Sequence, residues 1–385
     1  RGRVLQRSEP ERVRGSSFVT ATFRRDLVAV FPAWITARLL VAGAMLGARL
    51  YVDHLHEGER PLQVGQGLLA WDGAWYRSLV ESGYSGVDQE GIRFFPGFVL
   101  LGRLLDAVLP GGAGVALVVL ANAAALFAMA LLLRLVREVT GDADLAGRAV
   151  WLTACFPPAF VLVWGYAEAL FLLLAVATLL ALARRSWWWA AVLASAAAVT
   201  RPTGALLAVA AIASAWQGWG GSPARERVAR TAAVLGGPVG FGAFVWWASE
   251  LVDEPFAPLV VQRELRGDLV DPLRRLLSGL GELFGPDALG DGLHIPFAVG
   301  LVVLVVVAFR RLPLGHAAFA AACLVVALAA ENLNSLERYA LNGFPIVVAL
   351  AVLVGSGRLR HLVPAISALG MVSLTVLAVM GEYVP

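Results

Sequence analysis

Apolar residues fall along this chain in long blocks and not in the strict alternation of half-buried strands. A helix needs about 20 apolar residues to cross a bilayer. Blocks approaching that length cover residues 28–51, 113–134, 148–166, 167–183, 187–200, 203–216, 231–248, 295–309, 316–330, 343–355 and 362–380. The pattern predicts an all-α polytopic membrane protein, a bundle of about 11 transmembrane helices. Glycine and proline interrupt several blocks, which is tolerable where neighbouring helices re-satisfy the backbone. The run 94–110 is interrupted by Gly97, Gly102, Arg103 and Asp106. It reads as a helix lying on the outer surface or re-entering, so the first outer loop extends over about residues 52–112.

Charge placement sets the orientation. With the N-terminus inside and the spans alternating, the inner loops hold Arg134, Arg137 and Arg148, then Arg184 and Arg185, then Arg225, Arg227 and Arg230, then Arg310 and Arg311, then Arg358 and Arg360. An Arg-rich segment, residues 1–27, adds seven more and reads as a cytoplasmic arm with no removable signal peptide. The opposite topology would put all of these outside, against the positive-inside bias. The rest, 28–385, reads as one transmembrane domain, with the first outer loop and a segment at 249–294 that forms a cap of short helices on the outer face.

Composition supports this picture: 59% of the 385 residues are hydrophobic and the mean hydropathy is +0.73. That is more apolar surface than a soluble domain of this size buries. The net charge of +3 is small, and no basic stripe interleaved with aromatics suggests a nucleic-acid partner. Cys155 and Cys323 sit in apolar runs and read as small core residues. No phosphate-binding glycine loop, dinucleotide fingerprint or serine-nucleophile elbow occurs, and His54, His56, Glu57 and Glu59 lack zinc-site spacing.

Candidate chemistry lies in the predicted outer segments. Trp71-Asp72-Gly73-Ala74-Trp75-Tyr76 puts a carboxylate among interfacial aromatics. If 68–82 is helical, Trp71, Trp75 and Leu79 share one face, with Asp72 and Tyr76 on the next. Asp72 is then either a base for a sugar hydroxyl or an interfacial cap. Glu168 follows the helix-breaking Phe156-Pro157-Pro158; it binds an acceptor hydroxyl, shares a proton network with Asp72, holds a metal, or merely polarises a turn. Arg93, Arg201 and Arg338 lie on the outer side, where the charge bias disfavours them. Each is either a forked ligand for a lipid phosphate or half of a structural pair, such as Arg338 with Glu331 or Glu337. Arg38, inside the first span, must face a partner or water and receives no role. His294, alone at a span entrance, reads as a surface residue.

These motifs resemble the PIG-V-type mannosyltransferases, polytopic GT-C glycosyltransferases that include the enzyme adding the second mannose to GPI precursors, with bacterial relatives. The chain looks like a bacterial, actinobacterial-type member. Trp71-Asp72-Gly73 with Tyr76, Phe94-Phe95-Pro96, Phe156 and Pro158 with Tyr166-Ala167-Glu168-Ala169-Leu170-Phe171, Arg201 with Gly204, and Arg338-Tyr339 with Pro345 match the family's motifs in order. Trp75, Val99 and Ala167 depart from it, where His, Pro and Ser are common. The resemblance implies a polyprenyl-phosphate-mannose donor, a glycolipid or other extracytoplasmic acceptor, and Asp72 as general base. No metal or other cofactor is assigned, and a divalent metal stays open. Around the catalytic Asp72 and Glu168, Arg201, Arg338 and Arg93 are expected to meet donor phosphate, and Trp71, Tyr76, Tyr166 and Tyr339 to line the substrate pocket. Two rivals remain: a lipid or glycolipid transporter, and an inert assembly partner in which Asp72, Glu168, Arg201 and Arg338 lie far apart.

Overall fold

The computed structural model describes residues 14–284, 291–355 and 357–383. They form helices joined by turns, with one isolated antiparallel bridge between Leu269 and Ala330. Helix α1 (Arg14–His54) leads into a loop carrying α2 (Leu62–Gln66), α3 (Asp72–Ser82) and α4 (Pro96–Asp106). Then come α5 (Gly112–Thr140), α6 (Ala143–Ala154), α7 (Glu168–Ala183), α8 (Trp187–Thr200), α9 (Leu207–Trp216) and α10 (Ala224–Val252). The segment after it holds α11 (Ala257–Arg266) and α12 (Pro272–Glu282). The chain continues through α13 (Ile295–Arg311), α14 (Leu314–Leu328), α15 (Leu336–Asn342), α16 (Pro345–Val354) and α17 (Leu359–Met380).

Among the described residues, α5, α10, α17 and the Phe23–His54 part of α1 are long and apolar enough to cross a membrane alone. The pair α15 and α16, bent by 88°, makes a fifth if it counts as one broken span. Outward leucines, valines and phenylalanines, such as Val28, Leu39 and Leu46 on α1, are more than half exposed, as suits contact with lipid. The protein is a multi-pass membrane protein. Several runs counted towards eleven crossings are not single helices. The run 148–166 is the end of α6, a 3-10 turn at Pro157–Leu162 and a loop, because Pro157 and Pro158 cannot continue α6. The run 94–110, expected not to cross, contains the 11-residue α4, too short to do so.

Helix α1 begins at Arg14, well before the span expected from 28. The charged turn is packed instead of free: Asp26 is buried and holds Arg134 at 2.7 Å and Arg137 at 3.0 Å. Residues 1–13 of the expected arm lie outside the described residues. The same end of the bundle gathers Arg184 on Glu138 and Arg230 on the carbonyls of Ala215 and Gln217, with Arg230 also over the Trp187 ring. The opposite end gathers the Gly165 amide on the Leu68 carbonyl, the Trp71 indole on the Ala378 carbonyl and Tyr383 on Glu337. Basic loops and candidate chemistry thus occupy opposite ends.

Close helix contact is made by glycine. A Cβ added at Gly236 or Gly240 of α10 would sit 2.3 or 2.4 Å from the carbonyl oxygens of Ala191 or Ser195 on α8. Gly236→Val should therefore destabilise the fold by about 1–3 kcal/mol, the usual cost of overpacking. Gly242→Ala, on the same helix with nothing within 4 Å, should not. Thermal unfolding in detergent checks both; equal midpoints for the two variants would remove α8–α10 contact as a source of stability.

Candidate functional site

Four charged side chains from four separate elements meet at the end of the bundle away from the basic loops. Asp72 is the first residue of α3, Glu168 the first of α7, Arg201 follows α8 directly, and Arg338 sits in the first turn of α15. Arg338 Nη1 donates to Asp72 Oδ2 at 2.5 Å and lies 3.3 Å from Glu168 Oε1. Arg201 Nη1 donates to that same Glu168 oxygen at 2.6 Å. One carboxylate oxygen thus lies against two guanidinium groups. The inert-partner reading expects these side chains apart; they are in contact.

Local sequence explains how each arrives. Gly204 lies against the last turn of α8, where an added Cβ would come within 2.4 Å of Ala197 and Ala198 backbone atoms. That approach folds Pro202–Leu206 back as a 3-10 turn, starting directly after the buried Arg201. Pro157 and Pro158 break the chain before α7, and the Gly165 amide then bonds to the Leu68 carbonyl at 2.9 Å, bringing Glu168 beside the Asp72 loop. Trp71, at φ 56° and ψ −120°, occupies backbone space that costs a non-glycine residue about 1–3 kcal/mol. Its indole donates to the Ala378 carbonyl at 2.9 Å, which holds that turn.

The predicted pocket residues fall into two groups. Tyr166 is fully buried; its hydroxyl accepts from the Asp72 amide at 3.2 Å, and its ring lies 5.8 Å from the Arg338 guanidinium carbon. Tyr76 is buried edge-on to Phe94 and Phe98 and supports the cluster from behind instead of lining open space. Trp71 is an anchor to α17, and Tyr339 faces Arg266, whose guanidinium carbon lies 4.9 Å from its ring. The Arg93 guanidinium packs over the Phe94 ring and adds a third cation near Asp72.

Two expectations are corrected. Arg338 pairs with Asp72 and Glu168, not with Glu331 or Glu337. Glu337, its neighbour on a short helix, points elsewhere and accepts from Tyr383 at 3.0 Å and lies 2.8 Å from His294 Nδ1. His294 is therefore a buried partner and not a surface residue. Tyr383 was not singled out in the sequence, and no local signal points to it. Arg38 is satisfied by Asn122 Oδ1, the Leu162 carbonyl and the Trp34 carbonyl and ring, a structural role within the bundle.

Electrostatics sharpen the site. Burial raises the Asp72 carboxyl, but Arg338, Arg93 and Arg201 outweigh it and hold the group below its ordinary value. Its contribution to stability is therefore complete above the usual carboxylate range and is lost as pH falls through the lowered value. Among the described residues, Arg93 Nε, Arg201 Nε, Arg338 Nε and Glu168 Oε2 are buried with no hydrogen-bond partner. Three unmade donor bonds on guanidinium groups suit an anion with several oxygens. Among the described residues no three His, Cys, Asp or Glu side chains gather as a metal-binding set.

Glu168→Gln would take from Arg201 the carboxylate it pairs with and leave Arg338 with Asp72, both arginine side chains being only 9% exposed. Stability should fall by about 3–5 kcal/mol, as when one member of a buried ion pair is removed. Detergent unfolding of the purified variant reads this; an unchanged midpoint would show that water already screens the cluster.

No protein-family profile matches the chain, and no curated protein matches its sequence. Thirteen chains of solved structures match its fold. One is the crystal structure of the Archaeoglobus fulgidus oligosaccharyltransferase in the apo form, at 14% identity and a TM-score of 0.44. That match covers 90% of this chain and 56% of the other, so this chain spans little more than half its length. A likeness at that level carries neither residues nor chemistry across.

Proposed function

We propose that the protein is a GT-C-type membrane glycosyltransferase that moves mannose from polyprenyl-phosphate mannose to a glycolipid or other extracytoplasmic acceptor. The observation behind this reading is the convergence of Asp72 and Glu168 with Arg201, Arg338 and Arg93, each of whose Nε atoms is buried without a partner. On the positive-inside bias the basic end of the bundle faces the cytoplasm and this cluster faces the other side of the cell membrane. The loop 52–112 then carries the base, and the 249–294 segment caps the outer face.

In this reading the donor phosphate takes its oxygens to Arg201, Arg338 and Arg93, and its prenyl tail lies along the spans. Arg338 is then shared with phosphate, Asp72 loses part of the cation that lowers its pKa, and it becomes a stronger base. The acceptor oxygen attacks the anomeric carbon from the face opposite the phosphate. The bond from that carbon to the phosphate oxygen breaks, its electron pair stays on the departing polyprenyl phosphate, and the acceptor proton passes to Asp72. The configuration inverts. Fixed guanidinium groups stabilise the charge gathering on the leaving group. Glu168 keeps Arg201 and Arg338 beside one another, so its part is positioning as much as chemistry.

Asp72→Asn should lower sugar transfer by about 100- to 10,000-fold, the range for loss of a general base. Purified protein, polyprenyl-phosphate mannose and a membrane lipid extract, with mass spectrometry of the products, give the measurement. Near-normal turnover would remove Asp72 as base, and transport of labelled lipid without any transfer would support a carrier instead. Arg93→Gln removes a cation that lowers Asp72, so the acid limb of the kcat/KM profile should move to higher pH. A shift to lower pH, or none, would contradict this assignment.

A further inference from the structure

Helix α12 turns apolar side chains outward that a helix in water would bury. Arg275 is 7% exposed and turned inward, where it bonds Glu282 at 3.1 Å and the Glu331 carbonyl at 2.8 Å. Phe284, two residues past the helix, is 94% exposed, and Leu273, Leu277 and Leu280 face outward at 65%, 59% and 44% exposure. Their spacing puts them on one face of a helix. Ser278 and Arg274, also exposed, lie on the neighbouring face. Leu276 packs inward beside Arg275, yet three further leucines of this helix point outward, which water does not select.

The position of α12 identifies what covers that face. Gly279 abuts Ile295, the first residue of α13, where an added Cβ would lie 2.2 Å from the Ile295 side chain. Leu269, before α12, bridges to Ala330, just beyond α14. The helix therefore lies across the ends of α13 and α14, at the same end of the bundle as Arg338. The exposed apolar surface continues down α13 through Val299, Val303 and Val306. We infer that the Leu273–Leu277–Leu280 face of α12 embeds in the lipid leaflet on the site's side of the membrane, as an interfacial helix. Partly buried amphipathic helices bind membranes this way, in proportion to apolar area. Through Arg275 on the Glu331 carbonyl, the embedded helix fixes at leaflet height the loop that leads into Arg338.

The test uses the full chain in phosphatidylcholine vesicles. Cys155 and Cys323 are buried and do not compete for labelling. Leu277→Cys, Leu280→Cys and Ser278→Cys each carry an environment-sensitive fluorophore, and nitroxide-bearing lipid is the quencher. Labels at Leu277 and Leu280 should emit to the blue and be quenched at least about twofold more than the label at Ser278, with a nitroxide near the glycerol more effective than one at the chain end. Unquenched red-shifted emission at both leucine positions would overturn the inference. So would blue emission that resists lipid nitroxides and fades as protein is diluted into more lipid, the signature of a second copy on that face.

Discussion

Glu168 Oε1, shared by Arg201 and Arg338, is the contact on which the rest of the site depends. Each guanidinium buried alone would carry a large desolvation cost. One carboxylate oxygen between them makes both tolerable at the edge of a membrane protein, and Asp72 completes the charge balance. The arrangement holds four side chains from distant parts of the chain in one place with only hydrogen-bond-length contacts. It also leaves the Nε atoms of Arg201 and Arg338 buried and unpaired, as is that of nearby Arg93. A site balanced in this way is stable when empty and still has donors to offer an incoming anion.

The helical framework exists to bring those residues to one end. Glycines on α10 let it lie against α8, and Gly204 lies so close to the last turn of α8 that Arg201 is carried into the cluster. Prolines break the chain before α7 and free the backbone that reaches the Asp72 loop. The basic loops at the far end are neutralised locally, Asp26 holding Arg134 and Arg137 and Glu138 holding Arg184, so they do not compete for the acids of the site.

Much of this was legible in the sequence, and the limits have physical causes. Apolar blocks revealed a helical membrane protein, because lipid demands length and hydropathy of a single segment, but not where helices end: α1 starts at Arg14, and the run 148–166 breaks at Pro157. They did not reveal bends: the block 343–355 covers α16 alone, while α15, set at 88° to it, fell in the stretch between two blocks. Residue type and spacing brought Asp72, Glu168, Arg201 and Arg338 forward as candidates. Pairing was another matter: Glu337 and Arg338 are neighbours, yet one faces His294 and Tyr383 and the other faces Asp72. Which way a side chain on a short helix points depends on elements dozens or hundreds of residues away. Trp71 shows the extreme, its hydrogen-bond partner lying 307 positions along the chain.

That last tether has a consequence for biogenesis. The turn holding Asp72 is strained, and what steadies it is a carbonyl near the end of α17. During synthesis the loop emerges long before α17. Until α17 inserts, the Trp71 turn has no latch and can relax to an ordinary backbone conformation, swinging the carboxylate away from Arg338. Completion of the charged cluster is therefore timed to the arrival of α17, and a nascent chain lacking that helix carries every acid and base of the cluster without this constraint.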